Sequence, residues 1–286
     1  MRRRVAIVGL AFVLPASAHH GQDFLVAIDA GVNRPWEIRT TFGGEFSDYG
    51  NFEENSLIHS VILGLPNNLT LINILRSADD EEGSWNTLST TPMLQWTAPS
   101  PGLGGVMSSL RFAVAAGWEI SLNGDRDHRH NHGSSSLVDC SSLVAIPPAF
   151  LACQLANQNA ANHTHGGDGH AHHGIHRHGQ SHGFLRLVAE LNPTPQDRLV
   201  FNAITVFPED DAVQWGYATA YRRRFDDHWA TGIEAIGDLD ANGEHLLYLT
   251  GTAYLGSQFS ATFGAATGLT QNSPDFTLQT LISWRF

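Results

Sequence analysis

Residues 109–122 read SLRFAVAAGWEISL. Leu110, Phe112, Val114, Ala116, Trp118, Ile120 and Leu122 fall on one side of a two-residue period. Ser109, Arg111, Ala113, Ala115, Gly117, Glu119 and Ser121 fall on the other. A helix would scatter both sets around its axis, so the stretch is a β-strand with one apolar and one polar face. The polar face is unusual. A strand of a water-soluble sandwich carries Lys, Glu and Asp there, whereas this one carries mainly Gly, Ala and Ser with a single Arg and a single Glu. Small, mildly polar residues suit the inside of a narrow barrel, where bulk is excluded and paired charges are tolerated.

The same alternation recurs on both sides of this stretch. Trp36, Ile38, Phe42 and Phe46 oppose Glu37, Arg39, Thr41 and Glu45. Val213, Trp215, Tyr217, Thr219 and Tyr221 oppose Gln214, Gly216, Ala218, Ala220 and Arg222. Twelve strands are expected, near 35–46, 56–64, 69–77, 87–97, 106–122, 183–191, 198–207, 212–222, 228–237, 245–255, 257–269 and 275–286. Leu57–Gly64, Thr70–Arg76 and His245–Leu255 are apolar on both faces, and their orientation is open. An even count puts both ends of the wall on one side. Links on that side, such as Pro66-Asn67-Asn68 and Asn192–Asp197, are mostly short and turn-like; those on the other, Ser47–Asn55, Ala78–Asn86 and Asp238–Glu244 among them, are longer. Trp36, Trp96, Tyr221, Trp229 and Trp284 would ring one rim, and Trp118, Phe207 and Trp215 the other, as interfacial aromatic girdles do. The expected fold class is all-β: an antiparallel transmembrane β-barrel of about twelve strands with one long His-rich extracellular loop.

The chain ends LQTLISWRF, residues 278–286, alternating apolar and aromatic residues up to a terminal Phe286. This end resembles the assembly signal of Gram-negative outer-membrane β-barrels. Size and strand count are also similar to the outer-membrane transporter barrels grouped with the phenol-degradation-pathway proteins. The resemblance implies an outer-membrane location and passage of small solutes, and it carries over no binding residue.

The amino terminus agrees with export. Arg2, Arg3 and Arg4 precede the apolar run Val5–Leu14, and Ala16-Ser17-Ala18 forms an A-x-A site. Residues 1–18 therefore read as a signal peptide, and 19–286 as the barrel with 123–183 inserted. Cleavage would move the formal charge from −12 to −15 through loss of the three arginines. The chain has no lysine. An acidic surface of this kind argues against nucleic acid as a partner and favours cations. No later stretch is apolar for long enough to make a transmembrane helix. His19–Gly31 reads as a short polar start followed by one strand.

The inserted segment 123–183 holds eleven of the sixteen histidines, eight of them between His163 and His182. Neutral imidazole is a common ligand for zinc, nickel and copper. His-x-His pairs on a glycine-rich chain let two rings reach one ion, with Asp125, Asp127 and Asp168 as added oxygen ligands. The candidate ligands are His128, His130, His132, His163, His165, His170, His172, His173, His176, His178 and His182. Their spacing fits several exchangeable sites better than one fixed centre. A proton sensor is another reading of the same composition. Cys140 and Cys153, the only cysteines, would meet an oxidising compartment, and a disulfide is favoured over two thiolate ligands. His19-His20-Gly21 is a weaker copper signal.

Two functional readings follow. In one, an outer-membrane barrel binds a divalent transition metal through the outer loop and assists its passage. Lumen charges Glu37, Glu45, Glu119, Glu190 and Glu234, interleaved with Arg39, Arg111, Arg186 and Arg222, would tune the flow. In the other, the protein is a metal buffer or sensor, or a channel for organic solutes that the loop gates. The partners expected are outer-membrane lipid and metal ions or small solutes. No organic cofactor is expected. No Ser/His/Asp set with legible spacing marks an enzyme; His59 and His228 read as structural.

Overall fold

The computed structural model describes residues 24–31, 33–50, 53–79, 85–99, 109–122, 181–208, 212–239 and 243–286. Among them run twelve strands: β1 (Ile38–Asp48), β2 (Glu53–Leu65), β3 (Leu69–Asp79), β4 (Trp85–Thr97), β5 (Arg111–Ser121), β6 (His182–Leu191), β7 (Asp197–Pro208), β8 (Gln214–Arg224), β9 (Trp229–Asp238), β10 (His245–Leu255), β11 (Phe259–Gly268) and β12 (Phe276–Arg285). Each pairs antiparallel with its neighbours in sequence, and β12 returns to β1 to close the barrel. At the seam Phe42 faces Ile282 and Arg39 faces Arg285, and the Phe286 amide donates to the Ile38 carbonyl at 2.8 Å. Closure leaves no unpaired edge, which is what lets a sheet enter hydrocarbon. No helix among the described residues is long and apolar enough to cross a membrane.

Strand tilt and spacing typical of barrels give a twelve-strand backbone cylinder a radius of about 12 Å. Both ends of the wall and the short links around Asn67, Thr194, Asp226 and Gly256 share one rim, the periplasmic one by the usual rule. Asn67 and Asn68 hold φ of 62° and 60°, in the left-handed region that Asn tolerates well. The opposite rim carries the longer links, including residues 122–181 between β5 and β6.

The alternation read from the sequence is the alternation of the wall. Phe42, Phe201, Ile233, Leu249 and Phe263 point outward and are all more than half exposed. Trp36, Trp96, Trp229 and Trp284 at one rim, and Trp118, Phe207 and Trp215 at the other, are exposed too. A belt of this size would aggregate in water and is satisfied by lipid. The strands with apolar residues on both faces now have orientations. Ile62, Ile72 and Leu246 are buried inside, while Leu57, Val61, Leu71 and Leu249 face out.

One expectation is corrected. Residues 24–31 form no strand; they run as an irregular strap through the lumen. Phe24, Leu25, Ala27, Asp29 and Ala30 are buried there, and the strap packs into the barrel's internal apolar clusters. Its Val and Ile content suggests a strand. The wall is already closed, so the segment has no edge left to pair with.

Candidate functional site

The lumen has two levels. The periplasmic half holds the strap. Leu25 and Val26 donate their amides to the Glu234 carboxyl at 3.0 and 2.9 Å, with a longer contact of 3.5 Å from Ala27. Asn202 makes a two-point contact with Ile28: the Ile28 amide donates to Oδ1 at 2.8 Å, and Nδ2 donates to the Ile28 carbonyl at 2.9 Å. Glu190 accepts from the Ala30 amide at 3.0 Å. Gln95 donates to the carbonyls of Asp29 and Gly31, and Thr97 to that of Ala30. Every one of these wall residues lies on the inward face of its strand and is buried. A buried main chain without secondary structure must find such partners, because an orphaned amide costs as much as a lost hydrogen bond.

Two strap side chains are also held. Asp29 pairs with Arg198 at 3.0 Å, and Arg198 pairs with Glu190 at 3.2 Å. The Phe24 ring lies 5.3 Å from the Arg198 guanidinium and 5.1 Å from that of Arg222, within cation–π range. Small wall residues, Ala113, Ala218, Ala220 and Ala266, share the strap's apolar cluster with the larger Val200, Ile204, Ile236 and Tyr248, and Gly264 lies against Leu25. A Cβ at Gly264 would collide with the Leu25 side chain, and one at Gly64 would collide with the Arg34 carbonyl, where the strap leaves the wall.

The outer half of the lumen is acidic. Arg76 pairs with Glu45 at 2.9 Å and with Glu54 at 3.9 Å. His182 lies 3.7 Å from Glu119. Tyr49, just past β1, has its phenol pushed well above the ordinary value by burial and by Glu244, Glu54 and Glu45, partly offset by Arg76. Acids outnumber bases there, and an excess of one sign draws counter-ions toward it.

The lumen charges expected from the alternation are inside the barrel. Glu190 and Glu234, however, hold the strap rather than line a free passage. Arg76, Arg198, Asn202 and Gln95 were not singled out by the sequence. Arg76 lies in a strand apolar on both faces, and the other three matter only because the strap reaches them. Of the candidate metal ligands, His182 is on the inner wall of β6. The other ten, with Cys140 and Cys153, lie outside the described residues. Among the described residues no group of three His, Cys, Asp or Glu is placed to hold a metal. His59 accepts or donates a hydrogen bond with Thr40 on the outward face at 3.0 Å, and His228 sits in the β8–β9 turn.

No family model matches the chain, and no curated sequence does. Among solved structures, a KdgM porin superposes with a TM-score of 0.53 at 6% identity, covering 87% of this chain and 99% of the porin. The fold is that of an outer-membrane β-barrel. An outer membrane channel from Pseudomonas putida F1 is similar at 12% identity and a TM-score of 0.49, covering 89% of this chain and 97% of that one. A CymD monoaromatic hydrocarbon channel follows at 10% identity and 0.43, with 88% of each chain covered. Identities this low speak to architecture, and the outward apolar belt independently fits a membrane location.

Proposed function

We propose that the protein is an outer-membrane channel for small solutes, held shut by its own amino-terminal strap. The observation that carries this reading is that the lumen is closed by a segment outside the wall, held to it by hydrogen bonds and packing. A barrel built as a solid plug would fill its lumen with its own large side chains. This wall mixes Ala113, Ala218, Ala220 and Ala266 with larger residues such as Val200, Ile204, Ile236 and Tyr248, and a separate segment, tied by non-covalent contacts, completes the filling. Planar-bilayer recording tests it: variants that release the strap should conduct, and a released but non-conducting barrel would refute the channel.

The histidine-rich segment gives this channel its finer reading. Emerging between β5 and β6 at the outer rim, it would collect zinc, nickel or copper through the eleven histidines from His128 to His182. The acidic outer lumen below would favour cations over anions. What supports this is the composition of the segment and its position in the chain between β5 and β6. Removing residues 163–181, and keeping His182 on the wall, is expected to cut metal bound per chain while the barrel still assembles. Unchanged metal titration would eliminate the metal reading and leave the channel standing. If binding falls but uptake at limiting metal does not, the segment is a buffer or sensor.

A further inference from the structure

We infer that the strap's seat is a peptide-binding site, and that the solutes this lumen accepts include short extended peptides. This rests on the channel reading above. The seat treats the strap chiefly as main chain. The Glu234 carboxyl gathers the amides of Leu25 and Val26 at 3.0 and 2.9 Å. Asn202 offers Ile28 an acceptor at 2.8 Å and a donor at 2.9 Å, the same pair that a neighbouring strand would present. Glu190 takes the Ala30 amide at 3.0 Å, and Thr97 donates to the Ala30 carbonyl at 3.2 Å. Partners for both amides and carbonyls occur along one path, and any peptide supplies both at every non-proline residue.

The side chains add a coarse preference. Ala27 and Ala30 are fully buried and leave no room for a larger side chain, and Phe24 is buried as well. The Phe24 ring lies within 5.3 Å of two guanidinium groups, and Asp29 is paired with Arg198. A fitting ligand therefore has an aromatic residue near its amino end, small apolar residues behind it and an acid five places on. A sugar or an aromatic hydrocarbon lacks the alternating amide donors and carbonyls that these wall groups match.

The test uses the full chain carrying Ala27→Trp, which leaves the wall untouched and makes the strap too bulky for its seat; Ala30→Trp is a second route to the same state. Either variant should conduct in planar bilayers. The capped octapeptide of residues 24–31 should then block the current saturably. The same peptide N-methylated at Val26 and Ile28 should need at least tenfold more, since two of the recognised amides are gone. An octapeptide keeping Phe24 and Asp29, with alanine at 25, 26 and 28, should still block. Equal block by the N-methylated peptide, failure of the alanine peptide, or no block by any peptide in a conducting variant would overturn the inference and leave the channel intact. If neither variant conducts although both assemble as barrels, the channel reading fails and takes the peptide site with it.

Discussion

Replacing Glu234 with alanine should unfasten the strap. The carboxyl is buried and receives two good hydrogen bonds, from the amides of Leu25 and Val26 at 3.0 and 2.9 Å. Without it both amides stay buried without a partner, at a cost of about 1–3 kcal/mol each. The variant is also spared the desolvation of a buried carboxyl, which offsets part of this. A net penalty of about 2–4 kcal/mol on the seated state is expected, or a roughly 30- to 700-fold shift toward release. Hydrogen exchange reads that shift directly. The Leu25 and Val26 amides should lose protection by that factor, while amides of the β7–β8 ladder keep theirs. Conductance in planar bilayers should rise in parallel. Glu53→Ala, which removes an equal charge at the exposed outer end of β2, is the control and should change neither. If Glu234→Ala leaves exchange at Leu25 and Val26 at the wild-type rate, the strap is held by apolar packing and the account of its fastening is wrong.

Other outcomes follow from the same geometry. Gly264→Val should push Leu25 from its place and raise open probability without loss of heat-resistant barrel mobility on gels; a closed channel would show that the strap can slide past β11. Removing Phe286 deletes the amide that meets the Ile38 carbonyl and the ring stacked on Trp284, so the fraction of assembled barrel should fall in folding assays. In the β8–β9 turn, amides of His228 and Trp229 donate to Asp226 and hold its carboxyl below the ordinary value. A depressed acid stabilises the turn fully above its unfolded pKa of 3.8 and loses that contribution as pH falls through the lower folded value. Protection of the His228 and Trp229 amides, measured against their intrinsic exchange rates, should therefore fall in strong acid. Asp226→Asn, which keeps the accepting oxygen, should make that protection independent of pH, and Asp226→Ala should lose it at every pH.

The two-residue period by itself determined the wall: twelve strands, their pairing in order, the outward apolar belt and many of the charged inner residues were legible, Arg76 and Arg198 being exceptions. It failed at Leu57–Gly64, Thr70–Arg76 and His245–Leu255, and the structure supplies the reason. Alternation marks a lumen only where the lumen is wet. Ile62, Ile72 and Leu246 face apolar clusters that include the strap residues Ile28 or Leu25, so both faces of those strands are apolar and the contrast vanishes. The strap itself was out of reach of any local signal. Its amides find Glu190 and Glu234 at sequence separations of 160 and 209 residues, and nothing within residues 24–31 announces those partners. Local spacing fixes which way a side chain points. Only closure of the barrel decides what that side chain meets across the interior, and the candidate site is made of such meetings.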